Sequence, residues 1–99
     1  KNHPNFHPTY SGNLKERDLA YHQGTIWPWL TGEFIKALHK RGRKKFIEGM
    51  VKPFVKKEVR RFGLGTVAEI IDGDKPFESK GCISQAWSIA KLIEGITSL

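Results

Sequence analysis

Nine consecutive residues, Tyr21-His22-Gln23-Gly24-Thr25-Ile26-Trp27-Pro28-Trp29, set two indoles, an imidazole, a phenol and an amide around a glycine turn. Trp and Tyr each pair a large apolar ring with one polar atom, which suits a surface that is apolar on one side and wet on the other. A sugar ring asks for that mixture: flat rings for its C–H faces, and amide or imidazole groups for its rim of hydroxyls. The stretch points to a carbohydrate site. The competing reading is a capped helix whose aromatics fill a core, and on these nine residues alone that reading has the stronger claim.

Other reactive side chains offer less. His3 and His7 stand four apart, a zinc-binding spacing when it falls on a helix. Pro4 and Pro8 each follow a His and argue against helix there. His22 and His39 add no ligand spacing, so no metal and no cofactor is expected. Cys82 has no CxxC partner and reads as a small packing residue at a helix start. A single Cys cannot form an internal disulfide, which fits a reducing compartment, and a cytoplasmic location is the expectation.

Ninety-nine residues make one domain at most, or a piece of one. No apolar run approaches the roughly 18 residues of a membrane span, and Lys1-Asn2-His3-Pro4 shows no secretory h-region. The net charge of +7 is uneven: eleven Lys/Arg lie between Lys36 and Arg61 against Glu48 and Glu58, while the remainder is slightly acidic. The high isoelectric point therefore describes one segment, away from the aromatic stretch.

The elements that must carry these residues follow from periodicity and breakers. Residues 1–26 read as irregular, with Pro4, Pro8, Gly12 and Gly24 as punctuation and Tyr10-Ser11-Gly12-Asn13 as a turn. A first helix is predicted from Pro28, with Leu30, Phe34, Ala37 and Leu38 on one face and Gly42 as its stop. A second fits 44–62: Phe46, Ile47, Met50, Val51, Phe54, Val55 and Phe62 share a face opposite Lys45, Lys52, Lys56 and Arg60. Pro53 should kink or split it, and Gly63-Leu64-Gly65 should end it. Residues 66–81 read as irregular. A last helix is predicted over about 83–96, with Ile83, Ala86, Trp87, Ala90 and Ile93 inward.

So much irregular chain, and helices with such wide apolar faces, do not make an economical self-contained domain. The expectation is the tail of a larger all-helical protein.

Three blocks occur in fixed order: Arg17-Asp18-Leu19-Ala20-Tyr21-His22-Gln23-Gly24-Thr25-Ile26-Trp27-Pro28-Trp29, then Ala68-Glu69-Ile70-Ile71-Asp72-Gly73-Asp74, then Gly81-Cys82-Ile83-Ser84-Gln85-Ala86-Trp87-Ser88. Together they resemble the C-terminal end of glycogen debranching enzymes, in the amylo-α-1,6-glucosidase catalytic domain. The resemblance covers about residues 2–38 and 64–95; the basic segment between matches only as helical pattern.

The resemblance implies an all-α fold, with residues 1–99 as the C-terminal segment of an α/α toroid (a six-hairpin, glucoamylase-like barrel) with long active-site loops. It implies an inverting hydrolase acting on α-1,6-linked glucose at the branch points of glycogen or a limit dextrin. An inverting glycosidase uses a general acid and a general base whose carboxyls stand about 6.5–9.5 Å apart. Related toroidal glucosidases carry the base before the last helix in a sequence similar to Ala68-Glu69-Ile70, which makes Glu69 the candidate base. A solvated loop Glu is the alternative.

By the same resemblance Tyr21, His22, Gln23 and Trp27 are candidate glucose contacts; Asp74 is a further candidate, with an Asx-type turn around Gly73 as its alternative. Asp72 reads as turn chemistry, Asp18 as an ion pair with Arg17 or a loop cap, and Gln85 as a possible positioner. Trp29 and Trp87 read as packing residues. The general acid is expected outside this chain, which leaves the isolated segment inactive and makes the remainder of the same catalytic domain its partner. No membrane partner is expected.

The runner-up is a basic helical module binding nucleic acid or another acidic partner through residues 44–61. Against it, the aromatics do not interleave with the basic residues, and Lys-rich outer faces are usually just solvated.

Overall fold

The computed structural model describes residues 2–61 and 65–99. In chain order the elements are α1 (Leu14–Gln23), α2 (Leu30–Lys40), α3 (Lys44–Phe46), a π-helical turn (Ile47–Val51), α4 (Lys52–Glu58), β1 (Ile70–Ile71), β2 (Ser79–Lys80) and α5 (Ala86–Thr97). The protein is mostly helical, with a short two-stranded antiparallel sheet that the all-α expectation omitted.

Helix α1 corrects the reading of residues 1–26 as irregular. Asn13 caps it: its side chain accepts from Glu16 N–H at 3.1 Å, while the Glu16 carboxylate accepts from Asn13 N–H at 2.7 Å. That reciprocal pair satisfies two backbone donors the helix itself leaves open. The helix has almost no apolar face, and Ala20 is its one buried residue, so hydrophobic spacing could not reveal it.

Helix α2 begins two residues after Pro28, which sits in the turn that opens it, and ends ahead of Gly42 in the left-handed region (φ 65°) as expected. The basic helix bears out the disturbance expected at Pro53. Lys52 N–H reaches back five residues to Ile47 O, and the widened turn precedes the proline. A proline ring crowds the preceding turn of a regular helix, and π-type widening gives it room. Ile47 and Val51 are buried as predicted, whereas Phe46 and Met50 are exposed. Phe62, Gly63 and Leu64 lie outside the described residues.

The core joins Ile35 of α2, Ile47 and Val51 of the π-turn, Val67 ahead of β1, and Leu92 of α5, flanked by Leu38, Val55, Val59 and Ile89. Burying each such side chain is worth about 1.5–3 kcal/mol. Helices α2 and α5 cross at Gly32 and Gly95, where a methyl on Gly95 would lie 2.7 Å from Gly32 O. That close approach selects the inner face of α5: Ser88, Leu92 and Gly95 are buried. The inward stripe expected from apolar spacing is wrong. Ile83 is 61% exposed, Trp87 48% and Ile93 56%.

Residues 66–81 are also more ordered than expected. Ile70 pairs with Lys80 and Ile71 with Ser79, and Ile71 exchanges both backbone hydrogen bonds with Ile26 at 2.7 and 2.8 Å. The hairpin closes on Asp74–Phe77 with Phe77 N–H on Asp74 O and a cis Lys75-Pro76 bond, the arrangement of a type VI turn. Glu58, buried, accepts from Ser79 Oγ at 3.0 Å and Arg61 Nη1 at 3.4 Å, which ties the hairpin to α4. The molecule measures 41 × 32 × 20 Å, so its thin axis is about two helix diameters.

Candidate functional site

The pairing of Ile26 with Ile71 brings the end of α1 against the start of the hairpin. Segment 7–10 is laced between them: His7 N–H donates to Gln23 O at 3.0 Å, Gly73 N–H to Pro8 O at 2.7 Å, and Tyr10 N–H to the Asp72 carboxylate at 2.8 Å. Asp72 is buried in that role, so it ties down the N-terminal arm instead of forming its own turn.

The consequence is a contact across 48 residues of sequence. The Tyr21 hydroxyl donates to Glu69 Oε1 at 2.5 Å. The other carboxylate oxygen, Oε2, accepts from the backbone N–H of Cys82 at 3.0 Å, and Glu69 N–H donates to Cys82 O at 2.8 Å. Gly81 makes this possible. It holds φ 68°, and a methyl there would lie 2.5 Å from Glu69 Oε2. Cys82 is therefore not the packing residue expected; it is exposed and works through its backbone.

Around the phenol the rings interlock. Trp27 meets Tyr21 edge-on at 4.7 Å and His22 does so at 4.8 Å, while His22 and Trp27 lie parallel at 5.1 Å. Tyr21 O accepts from both Thr25 Oγ1 (2.7 Å) and Trp27 Nε1 (2.9 Å). The indole N–H is thus spent inside the protein, and His22 covers one face of that indole. Hydrogen bonding to Glu69, then burial, then the negative charge of Glu69 push the Tyr21 phenol up to about 12. It stays a neutral donor throughout the range in which proteins work.

Of the sequence-predicted site residues, Tyr21, His22, Trp27 and Glu69 come together. Gln23 does not: it lines a separate shallow hollow with His3, Asn5 and Phe6. The Asp74 carboxylate accepts from Lys75 N–H at 3.0 Å within the hairpin turn. Asp18 is exposed on α1, and Arg17 turns instead to Tyr10, 6.0 Å from its ring centroid, without an ion pair to Asp18. Gln85 stands at the N-cap position of α5 without a side-chain cap and donates its N–H to Val67 O at 2.9 Å. Trp29 and Trp87 stack on each other at 4.6 Å, Trp29 partly buried and Trp87 exposed. Cys82, Gly81, Thr25 and Tyr10 were not singled out for the site. The left-handed glycine beside Cys82 was the one signal in the sequence that the loop turns sharply there.

Among the described residues no three His, Cys, Asp or Glu are grouped to hold a metal ion, and no helix is long and apolar enough to cross a membrane. A half-buried carboxylate with two of its lone pairs committed keeps others open to water. Chemically the arrangement can accept a proton beside an aromatic surface.

Searches among curated proteins and among solved structures give no match. The sequence profile of the family described as amylo-alpha-1,6-glucosidase matches residues 1–94. With nearly the whole chain matched, and the three blocks folded against one another, this protein belongs to the amylo-α-1,6-glucosidase family, the C-terminal region of glycogen debranching enzymes.

Proposed function

We propose that residues 1–99 form the C-terminal part of an amylo-α-1,6-glucosidase catalytic domain, one sector of an α/α toroid, and that the parent enzyme hydrolyses α-1,6-linked glucose at the branch points of glycogen-type glucans with inversion. The observation that carries the reading is the Glu69 carboxylate set against the Tyr21–His22–Trp27 ring cluster. The exposed apolar faces support the placement in a larger domain: Leu30 and Phe34 on α2, and Trp87 and Ile93 on α5, are half-exposed or more. Contiguous apolar surface of that kind marks a contact with more protein.

In this reading Glu69 is the general base. Its carboxylate takes a proton from water, and the oxygen lone pair of that water forms the new bond to the anomeric carbon. The glycosidic C–O bond breaks on the opposite face. Its electron pair leaves with the glucan oxygen, which takes a proton from a general acid on another part of the domain. Exposed His22 presents an imidazole to sugar hydroxyls at the rim, and the stacked His22–Trp27 pair supplies a flat apolar wall. Gln23 and Asp74 stand further out as contacts for the glucan. No cofactor takes part, and the single thiol fits a cytoplasmic enzyme.

The test uses the intact enzyme and a singly branched dextrin. Glu69→Gln lowers kcat by about 10²–10⁴ with KM nearly unchanged, the usual worth of a general base. Proton NMR of the first turnovers with the wild type shows β-glucose ahead of mutarotation. Turnover of the variant near the wild-type rate removes Glu69 from the chemistry, and α-glucose as first product removes inversion.

A further inference from the structure

We infer that Tyr21 is a positioning residue for Glu69, and that together with the Cys82 backbone N–H it clamps the carboxylate in one plane; it is not a contact for the sugar. The inference rests on the reading of Glu69 as the general base.

The two carboxylate oxygens are held by donors from different parts of the fold, Oε1 by the Tyr21 hydroxyl at the end of α1 and Oε2 by the N–H after Gly81. A carboxylate tied at both oxygens cannot rotate about its last torsion. A carboxylate has about four lone-pair positions, so those left open face a fixed direction, which is what a base needs in order to meet one particular water.

The clamp has its own support. Thr25 Oγ1 and the Trp27 indole N–H both bind Tyr21 O; Trp27 and His22, edge-on at 4.7 and 4.8 Å, and the tilted ring of Tyr10 at 5.8 Å hem in the phenol ring. The hydrogen of the Tyr21 hydroxyl is committed to Glu69, so it has none to donate to a glucose hydroxyl. Trp27 likewise has spent its N–H. Both residues act on substrate through Glu69 and through ring shape, and direct polar contact is left to His22.

Two measurements test this. In the intact enzyme carrying ring-labelled tyrosine, NMR titration shows the Tyr21 phenol ionising at about 12, and Glu69→Gln returns it toward the ordinary value of 10.0. A late phenol that Glu69→Gln does not move overturns the contact. In the intact enzyme, Tyr21→Phe keeps the ring and deletes the hydroxyl. We expect kcat to fall roughly 10–100-fold, the scale of a misplaced catalytic group, with KM for the branched dextrin unchanged.

A KM raised tenfold at unchanged kcat makes Tyr21 a sugar contact and overturns the inference. The two readings fail separately: a fully active Glu69→Gln sinks the base assignment, whereas an inactive Glu69→Gln beside a Tyr21→Phe of wild-type rate sinks only the clamp.

Discussion

Gly24 and Gly73 pass each other backbone against backbone: a methyl group on Gly73 would collide with the carbonyl oxygen of Gly24, and one on Gly24 with the carbonyl of His7. The segment that carries Tyr21 and the hairpin that follows Glu69 can approach this closely only because Gly73 has no side chain, and the N-terminal arm can lie against that segment only because Gly24 has none. Gly73→Ala should therefore push the two apart, at a cost of roughly 1–3 kcal/mol for forced overpacking. Urea denaturation measures the loss, and the late phenol should shift down with it. Gly49→Ala is the control, since a methyl there meets nothing within 4 Å. It should be neutral or stabilising by up to about 1 kcal/mol.

The capping box of α1 supports the same end of the site. Asn13→Ala removes the acceptor for Glu16 N–H and the reciprocal arrangement with it, and should cost about 1 kcal/mol. Because α1 buries only Ala20, its cap carries an unusual share of its stability. Hydrogen exchange should show the first turn of α1 opening earlier in the variant; protection equal to wild type would mean the arm, not the cap, holds the helix.

Stability should respond to acid through the α2–α5 seam. Lys36 and Lys91 are each shared by Glu33 and Glu94 at 2.7–3.0 Å. Hydrogen bonds from Lys36 and then Lys91 hold the Glu94 carboxyl down at about 2, and separate bonds from the same two lysines lower Glu33. A depressed carboxyl stabilises the fold fully above its ordinary value of 4.5 and loses that contribution as pH falls toward 2. The two lysines are raised, so their share persists until pH climbs past 10.5. The urea midpoint should fall below pH 4.5 and flatten in Lys36→Met/Lys91→Met. High salt should blunt the slope, because these groups face water. An identical slope in the double variant would place the acid sensitivity elsewhere.

Local chemistry was legible in the sequence wherever neighbours in the chain settle the matter. The span of α2, the stop at Gly42, the cationic face of the basic helix and the disturbance at Pro53 all follow from spacing and from what a proline ring excludes. The three blocks that resemble amylo-α-1,6-glucosidases were readable too, because their residue types are too unusual for packing alone. Asn13 and Glu16 spelled out a capping box as well, and the polar surface of α1 hid it.

What only tertiary structure decided is which surfaces meet. The inner face of α5 runs through Ser88, Leu92 and Gly95 instead of Trp87 and Ile93, because backbone contact at Gly32 rewards small side chains over apolar ones. The bond from Tyr21 to Glu69 spans 48 residues and depends on Ile26 pairing with Ile71 and on Gly81 clearing space for a carboxylate. Periodicity reports the local environment of a chain, whereas close approach and long-range pairing are properties of two segments at once.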